Sequence, residues 1–432
     1  MVFLGLKQVL GGSILFLTVG EKLREIRKEY KLKQSAFVEY GFSRNYISMI
    51  ETNQRNLNNE KLSHLYQVLC ALTNNQVKHK YSFELFSLNP TEQAIRWLEQ
   101  MCTLESGLNH YDKYTEVIHH YKHLEYGIRI EEILAKYYGE QLNYVKEYDH
   151  YLREISYSLQ ASKNPAHLYE LAGVSLFKLG KYSEAIFQFK LALNCLINEE
   201  DNLIFKVKYD IAICYFYEEK YQEGLDIIDD IINQDLDLRV KGLGYLLKES
   251  LLKRLLRAEE GRHVLNEFIS NCFYEPYLGK AYHNLGCNYK DEGLYEEALE
   301  ALHASLAYHN NDQDVLLTRS LIGLVHFELK HFALSEQILN EIRPKVLMVG
   351  YNDQKQTIFE WAINLYWELG KINEISMLME EIKQYVRAGK INESITILIQ
   401  NHLYKKIMRH MLGDSKNLNQ YQKILNDLRS WR

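Results

Sequence analysis

The feature that most constrains the fold of this chain is an internal sequence repeat. From residue 166 onward a pattern recurs at a period of about 37 to 40 residues. In each copy a small or apolar residue lies twelve positions before a second one, and paired helices need such residues where their backbones approach closely. The sequence therefore predicts stacked helical pairs. The five position pairs are Gly173 and Ala185, Ala212 and Gly224, Gly286 and Ala298, Gly323 and Ser335, and Ile363 and Ile375.

Composition agrees with a helical fold. Proline occurs only four times in 432 residues, so helices are permitted almost throughout, and the abundance of leucine, glutamate and lysine disfavours a β-rich fold. The six cysteines are dispersed without a CxxC motif, which predicts reduced thiols in a cytosolic protein. We therefore predict an all-α protein.

Charge is distributed unevenly along the chain. The net charge is −6, but residues 20–75 carry nine lysines and arginines against six aspartates and glutamates. The acidic remainder repels a polyanion. Any contact with nucleic acid is therefore expected from this basic segment.

The basic segment has the pattern of a small helical module. Helices are predicted at about 20–30, 34–40, 44–51 and 60–72. Gly41 suits the sharp turn at the end of the second helix, and Ser43 caps the third. In the third helix, Ile47 and Ile50 face the core.

The N-terminal end of the third predicted helix is suited to contact base edges, while the second helix crosses the phosphate backbone. Arg44 suits a bidentate contact to guanine, and Asn45 suits adenine or a phosphate. Gln34 and Arg55 are expected to hold phosphates. The predicted DNA-binding residues are Gln34, Ser43, Arg44, Asn45, Tyr46, Ser48, Met49 and Arg55.

Residues 43–51 resemble the helix-turn-helix domain of lambda-repressor-like proteins, in particular a bacterial subgroup that carries the motif SR-x-Y-I-S-x-I-E. One departure is Phe37, which stands where that family has a small residue and leaves the role of Gln34 open. The repeats resemble the tetratricopeptide repeat, with inter-helix turns at 179–182 and 292–295. That resemblance implies a right-handed α-solenoid.

The first helix of each pair in such a stack lines a concave surface. Asparagine side chains there suit the backbone of an extended peptide, and Lys253 or Arg254 suits a carboxylate. The predicted peptide-binding residues are Phe177, Tyr217, Lys253, Arg254, His283, Asn284, Asn364 and Trp367.

Four segments are predicted. Residues 1–19 are apolar, but Lys7 and the glycines at 11 and 12 leave pieces too short to span a bilayer, and no cleavage site follows. We expect a poorly ordered leader or a start-site artefact, with Leu17 as the true initiator. The DNA-binding domain is 20–75, a linker is 76–91, and a repeat domain is 92–432, closed by a capping helix pair at 394–429.

The order of these parts resembles the peptide-pheromone-responsive regulators of Gram-positive bacteria, the group of Rgg, NprR, PlcR and PrgX. The resemblance implies a cytoplasmic homodimer that binds double-stranded operator DNA and is controlled by a short signalling peptide in quorum sensing. It implies no membrane partner.

Two alternatives stay open. One is an interaction scaffold whose repeats bind a partner protein, with DNA binding secondary; the other is a repressor that responds to no ligand. His119 and His123 stand four positions apart, a spacing that could hold a metal, but no HExxH glutamate and no third ligand lies nearby, which favours a solvated helix face. The sequence has no phosphate-binding glycine loop and no nucleophile elbow. We therefore predict no enzymatic activity, no cofactor and no metal.

Overall fold

The computed structural model describes residues 6–8, 14–196, 202–233, 238–271, 274–309, 311–349, 352–389, 391 and 393–411. The chain divides into two compact units, residues 1–218 and 219–432. The described elements are helical apart from one short hairpin, which confirms the all-α fold class. Among the described helices, none is long and apolar enough to cross a membrane.

The hairpin lies in the predicted leader, where the sequence predicts no strand. Strand β1, Leu6–Gln8, pairs antiparallel with β2, Ile14–Phe16. Phe16 and Leu17 are buried, and the Phe16 amide donates to the Tyr121 hydroxyl at 3.1 Å. The end of the leader is thus packed against the repeat helices. Its boundary stays a prediction, and residues 1–5 and 9–13 lie outside the described part.

The basic segment folds into four helical elements, as predicted, but the second is a 3₁₀ helix rather than an α-helix. Phe37 is the buried residue of this segment, and a single inward position defines no period, so the sequence does not distinguish the two kinds of helix. The elements are α1, Val19–Glu29; the 3₁₀ helix, Gln34–Tyr40; α2, Arg44–Glu51; and α3, Asn59–Leu72.

The ends of these elements are fixed by local hydrogen bonds. Thr18 and Glu21 form a capping box at the start of α1, which satisfies two backbone amides that the helix leaves unpaired. Gly41 ends the 3₁₀ helix with φ of +85°, a conformation that favours glycine. The Ser43 Oγ accepts from the Tyr46 amide at 3.2 Å and caps α2. The predicted roles of Gly41 in ending the second helix and of Ser43 in capping the third are confirmed.

A separate apolar core holds this module together. Phe37, Ile47 and Leu65 are completely buried in it, so the large side chain of Phe37 replaces the small residue of the lambda-repressor-like pattern inside the core. The core continues into the predicted linker, where the Tyr66 hydroxyl donates to the Tyr81 carbonyl at 2.6 Å. Two short helices form in that linker, α4, Val77–Lys80, and α5, Phe83–Ser87.

Antiparallel helices follow in the first unit. Where Gly173 faces the next helix, a Cβ would lie 2.5 Å from the Phe189 ring, so this position requires glycine. The helices are α6, Pro90–Met101; α7, Leu104–Tyr121; α8, Leu124–Glu140; α9, Tyr144–Gln160; α10, Ala166–Lys178; α11, Tyr182–Cys195; and α12, Asn202–Tyr217.

The second unit continues the same pattern, and a Cβ at Gly286 would lie 2.6 Å from Leu302. The buried small residues predicted from the repeats are confirmed. The helices are α13, Tyr221–Ile232; α14, Leu238–Arg254; α15, Ala258–Asn271; α16, Leu278–Asp291; α17, Tyr295–Tyr308; α18, Asp312–Glu328; α19, Phe332–Val349; α20, Asn352–Glu368; α21, Ile372–Arg387; and α22, Glu393–Met411.

Helix α22 covers part of the predicted capping pair and packs on α20 and α21. Its inner side is apolar and completely buried at Ile399, Leu403 and Ile407. The remainder of the predicted pair, from residue 412, lies outside the described residues.

Candidate DNA-binding and peptide-binding sites

Helix α2, which the sequence predicts to contact base edges, has an exposed N-terminal end. Arg44, Asn45 and Met49 are exposed, while Ile47 and Ile50 on the opposite side are buried. Ser48 is half-buried on the exposed side. Because Ser43 caps the helix, its first turn is held rigidly with these side chains directed to solvent.

Tyr46 is partly occupied by packing within the module. Its ring stacks on Phe42 with centroids 6.1 Å apart, and the Lys61 ammonium lies 5.7 Å from the ring centroid. Phe42 in turn stacks on His64 at 5.1 Å. Tyr46 therefore braces α2 against α3, in addition to the DNA contact that the sequence predicts for it.

Gln34 takes part in an internal network. Its Nε2 donates to Glu51 Oε2 at 2.9 Å, and the same carboxylate accepts from Arg27 at 2.6 and 3.0 Å. This bidentate pair raises the pKa of Arg27, chiefly through the hydrogen bond to Glu51. Arg27 and Glu51 thus join α1 to α2, and Gln34 ties the 3₁₀ helix to both. The predicted contact of Gln34 with a phosphate must therefore use the part of its side chain that this network leaves exposed.

Two of the nine cations in residues 20–75 face inward, which the sequence does not reveal. Arg27 is paired with Glu51, and Lys22 is completely buried. The surface charge of the module therefore rests on the other cations. Lys31, Lys33, Arg44 and Arg55 are among those that are exposed.

Lys22 connects the module to the helices that follow it. Its Nζ donates to three backbone carbonyl oxygens, those of Leu85, Phe86 and Leu88, at 2.9, 3.1 and 2.7 Å. Burial lowers the pKa of Lys22 to about 8. Beside it, Gln93 Nε2 donates to the Leu88 carbonyl at 3.0 Å. The predicted linker is therefore bound on both sides rather than freely exposed.

The predicted peptide-binding residues lie on the first helices of five pairs, α10, α12, α14, α16 and α20. In the first unit, Phe177 and Tyr217 form an aromatic cluster with Tyr182. Tyr217 stacks on Tyr182 at 5.1 Å and meets Phe177 edge-on at 5.5 Å. Tyr217 is 52% exposed, so the cluster offers an accessible aromatic surface.

In the second unit, Asn284 is engaged by a buried carboxylate. Its Nδ2 donates to Glu249 Oε2 at 2.9 Å, and Asn288 donates to Glu249 Oε1 at 2.9 Å. Burial raises the pKa of Glu249, while the asparagine donors oppose the shift. Asn284 thus joins α16 to α14. Sequence reasoning missed Glu249, because it occupies the position that a small residue takes in the other repeats.

Neighbouring predicted residues are also partnered. Lys253 Nζ lies 2.6 Å from Asp291 Oδ2, and His283 Nδ1 lies 2.9 Å from the Thr318 hydroxyl. Burial lowers the pKa of His283 to about 4, so the ring is neutral at physiological pH. Arg254 is exposed.

Asn364 and Trp367 lie beneath α22. His402 Nε2 and Lys406 Nζ each lie 3.0 Å from Asn364 Oδ1. Trp367 is only 7% exposed, and the Lys406 ammonium lies 5.9 Å from its ring centroid. These residues therefore hold α22 against α20, which leaves Trp367 little surface for a ligand.

Comparison with known proteins gives no sequence-level match: no protein-family model and no curated protein matches the chain. Solved structures do show likeness. The apo form of the quorum sensor NprR from B. thuringiensis is 14% identical, over 95% of this chain and 99% of that chain, with a TM-score of 0.43. PlcR of Bacillus thuringiensis, solved with the peptide PapR7 and DNA, is 15% identical over 71% and 98%, with a TM-score of 0.33.

Aspartyl phosphate phosphatase F of Bacillus subtilis is 12% identical, over 85% of this chain and 93% of that chain, with a TM-score of 0.48. The similar solved structures thus include NprR and PlcR, two members of the group that the sequence resembles. The structure defines a helical-repeat protein whose N-terminal end carries a small helical module with its own hydrophobic core.

Proposed function

We propose that this chain is a cytoplasmic transcriptional regulator that binds operator DNA through residues 20–75. The observation that carries the proposal is the first turn of α2. Ser43 caps it, Ile47 and Ile50 anchor it, and Arg44 and Asn45 are exposed at its tip. A rigid helix end that presents a guanidinium and an amide is the arrangement by which helices contact base edges in the major groove.

We further propose that a short signalling peptide controls this DNA binding, as in quorum sensing. The aromatic cluster at Phe177 and Tyr217 supports an apolar contact in the first unit. Arg254 is exposed on α14 and supports a contact to a peptide carboxylate. Control requires only that the peptide bind one conformation better than another.

A homodimer follows from the same proposal, because two reading helices at fixed spacing recognise paired half-sites. Equilibrium sedimentation of the full chain, with and without operator DNA, tests this step. A protein that stays monomeric in both states excludes dimeric operator binding.

A selection experiment tests the DNA-binding proposal without knowledge of the operator. The full chain is incubated with random duplex oligonucleotides at fixed salt, and bound sequences are amplified through several rounds. Enrichment of a two-fold symmetric motif supports the proposal, and the absence of any enriched motif contradicts it. Fixed salt is required because nonspecific phosphate contact varies steeply with ionic strength.

A protein-interaction scaffold is the second candidate function. It is favoured by a row of exposed apolar residues on α9, Val145, Leu152 and Leu159, which recur every seven residues along one side. Mass spectrometry of material that copurifies with the chain distinguishes the peptide receptor from the protein-interaction scaffold. A bound peptide of roughly five to ten residues supports the peptide receptor, since that length suits a groove between helices. A stoichiometric partner protein supports the scaffold.

A further inference from the structure

A cleft lies between α7 and α9 in the first unit, and none of its lining residues belongs to either proposed site. Its volume is about 270 Å³, room for roughly nine non-hydrogen atoms at the volume that a water molecule occupies in the liquid. Gly107 lies in its wall, where a Cβ would lie 2.9 Å from Ile130. Leu134 supplies an apolar surface. The cleft therefore suits a small molecule rather than a chain segment.

The base of the cleft is a buried polar pair. His150 is 7% exposed, and its Nδ1 lies 2.6 Å from Oε2 of the completely buried Glu131. The Tyr111 hydroxyl donates to Glu131 Oε1 at 2.6 Å. Both oxygens of this carboxylate are thus engaged by protein groups, so the base is preorganised and does not require a cation from solution.

Two cations stand at the rim, each held over an aromatic ring. The Lys146 ammonium lies 4.7 Å from the Tyr138 ring centroid, and the Arg153 guanidinium lies 5.3 Å from that of Tyr111. Arg153 also donates to the Tyr111 hydroxyl at 3.2 Å. Within the described part of the chain, neither cation forms an ion pair with a carboxylate. Their charge is therefore available to a ligand.

The rings form the flat walls of the site. Tyr138 stacks on His150 with centroids 5.3 Å apart and 7° between the planes, and Tyr111 meets His150 edge-on at 6.0 Å. Asp149 also lines the cleft, and the Glu131 carboxylate lies at its base, so two carboxylates oppose the two cations and each further negative charge on a ligand is repelled by both. A ligand with one negative charge is therefore favoured over one with two.

We infer that this cleft binds a small, planar organic acid carrying one carboxylate, with the carboxylate between Lys146 and Arg153 and the planar body against Tyr138. Guanidinium and ammonium groups form the strongest hydrogen bonds that proteins offer to a carboxylate. Because the cations are already positioned by their rings, little side-chain freedom is lost on binding. The site requires neither DNA nor the signalling peptide.

Ligand-observed NMR titration of the full chain tests the inference with three probes. Benzoate carries the ring and the charge, benzamide keeps the ring without the charge, and inorganic phosphate has charge without a ring. We expect saturable binding of benzoate, with benzamide and phosphate each at least about tenfold weaker, as loss of one charge-assisted hydrogen bond predicts. Equal binding of benzamide or phosphate, or no saturable benzoate binding, overturns the inference.

Variants locate the binding. Lys146→Gln with Arg153→Gln should weaken benzoate binding at least about tenfold, and both residues are exposed, so the fold should persist. Lys136→Gln is the matched control, because Lys136 is an exposed cation on α8 paired with Glu132. Tyr138→Leu removes the flat wall and should also weaken benzoate binding. A control variant that loses as much affinity as the double variant contradicts the assignment.

Discussion

The Lys22 ammonium donates to the Leu88 carbonyl oxygen at 2.7 Å across 66 residues of sequence. The carbonyls at the end of α5 have no partner within their own helix, and Lys22 satisfies three of them from inside the protein. The basic module is therefore joined to α5 and to Leu88 by a specific buried contact.

Lys22→Met should destabilise the first unit. The substitution preserves most of the side-chain volume but leaves buried carbonyls without a donor, so we expect a loss of about 2 to 3 kcal/mol in the free energy of unfolding. Urea denaturation followed by circular dichroism measures it. Lys28→Met, at an exposed position of α1, is the control. Equal stability of the two variants would show that the buried contact contributes nothing.

Glu154 should make stability depend on pH. Its side chain is 4% exposed, and burial, with Glu132 and Glu131 nearby and Lys136 opposing, raises its pKa to about 8. A raised acid pKa means that the folded state holds the proton more tightly. The stabilisation is complete below pH 4.5 and is lost as the pH rises through about 8.

Glu154→Gln should remove that dependence, because the amide does not titrate. Between pH 5 and pH 8 the unfolding free energy of the natural chain should fall relative to the variant by on the order of 3 kcal/mol. Denaturation curves at several pH values measure this. Glu140→Gln, at an exposed position on α8, should leave the pH dependence unchanged. Parallel pH profiles for Glu154→Gln and the natural chain would refute the assignment.

Tyr217→Ala should weaken binding of the signalling peptide without unfolding the repeats. Tyr217 is 52% exposed, and Tyr404, which is 51% exposed on α22, provides a matched control. Once a copurifying peptide has been identified, fluorescence anisotropy with its labelled synthetic copy gives both affinities. We expect roughly a tenfold loss for Tyr217→Ala alone, as removal of one aromatic contact predicts. Equal losses at the two positions would count against the aromatic cluster as a binding surface.

The exposed tip of α2 follows from the sequence, because the positions of Ser43, Ile47 and Ile50 define which side of the helix is buried. The internal contacts of Lys22 and Gln34 do not follow from the sequence. The partners of Lys22 are backbone carbonyls far along the chain, and such groups leave no mark on composition or periodicity. Gln34 is paired with Glu51, a contact set by how two elements pack.

In the repeats, too, some features follow from the sequence and others do not. Small residues such as Gly173 mark where helices approach, so helix pairing is predictable from spacing. The polar side chains on the first helices are harder to interpret, because a residue that faces a groove and one that bridges two helices have the same helical phase. Asn284 bridges to Glu249, and Trp367 is covered next to α22. Only the packed structure distinguishes these cases.

We propose that α2 contacts base edges through Arg44, and a binding titration measures how much that side chain contributes to the affinity for DNA. Fluorescence anisotropy at fixed salt compares the natural chain, Arg44→Ala and the control Arg257→Ala on a duplex carrying the selected motif. Arg257 is an exposed arginine in the repeats, paired with Glu260. We predict that Arg44→Ala weakens specific binding about ten- to a hundredfold, the value of a bidentate base contact, and that Arg257→Ala leaves it unchanged. Unchanged affinity for Arg44→Ala, with its fold intact by circular dichroism, would contradict the account.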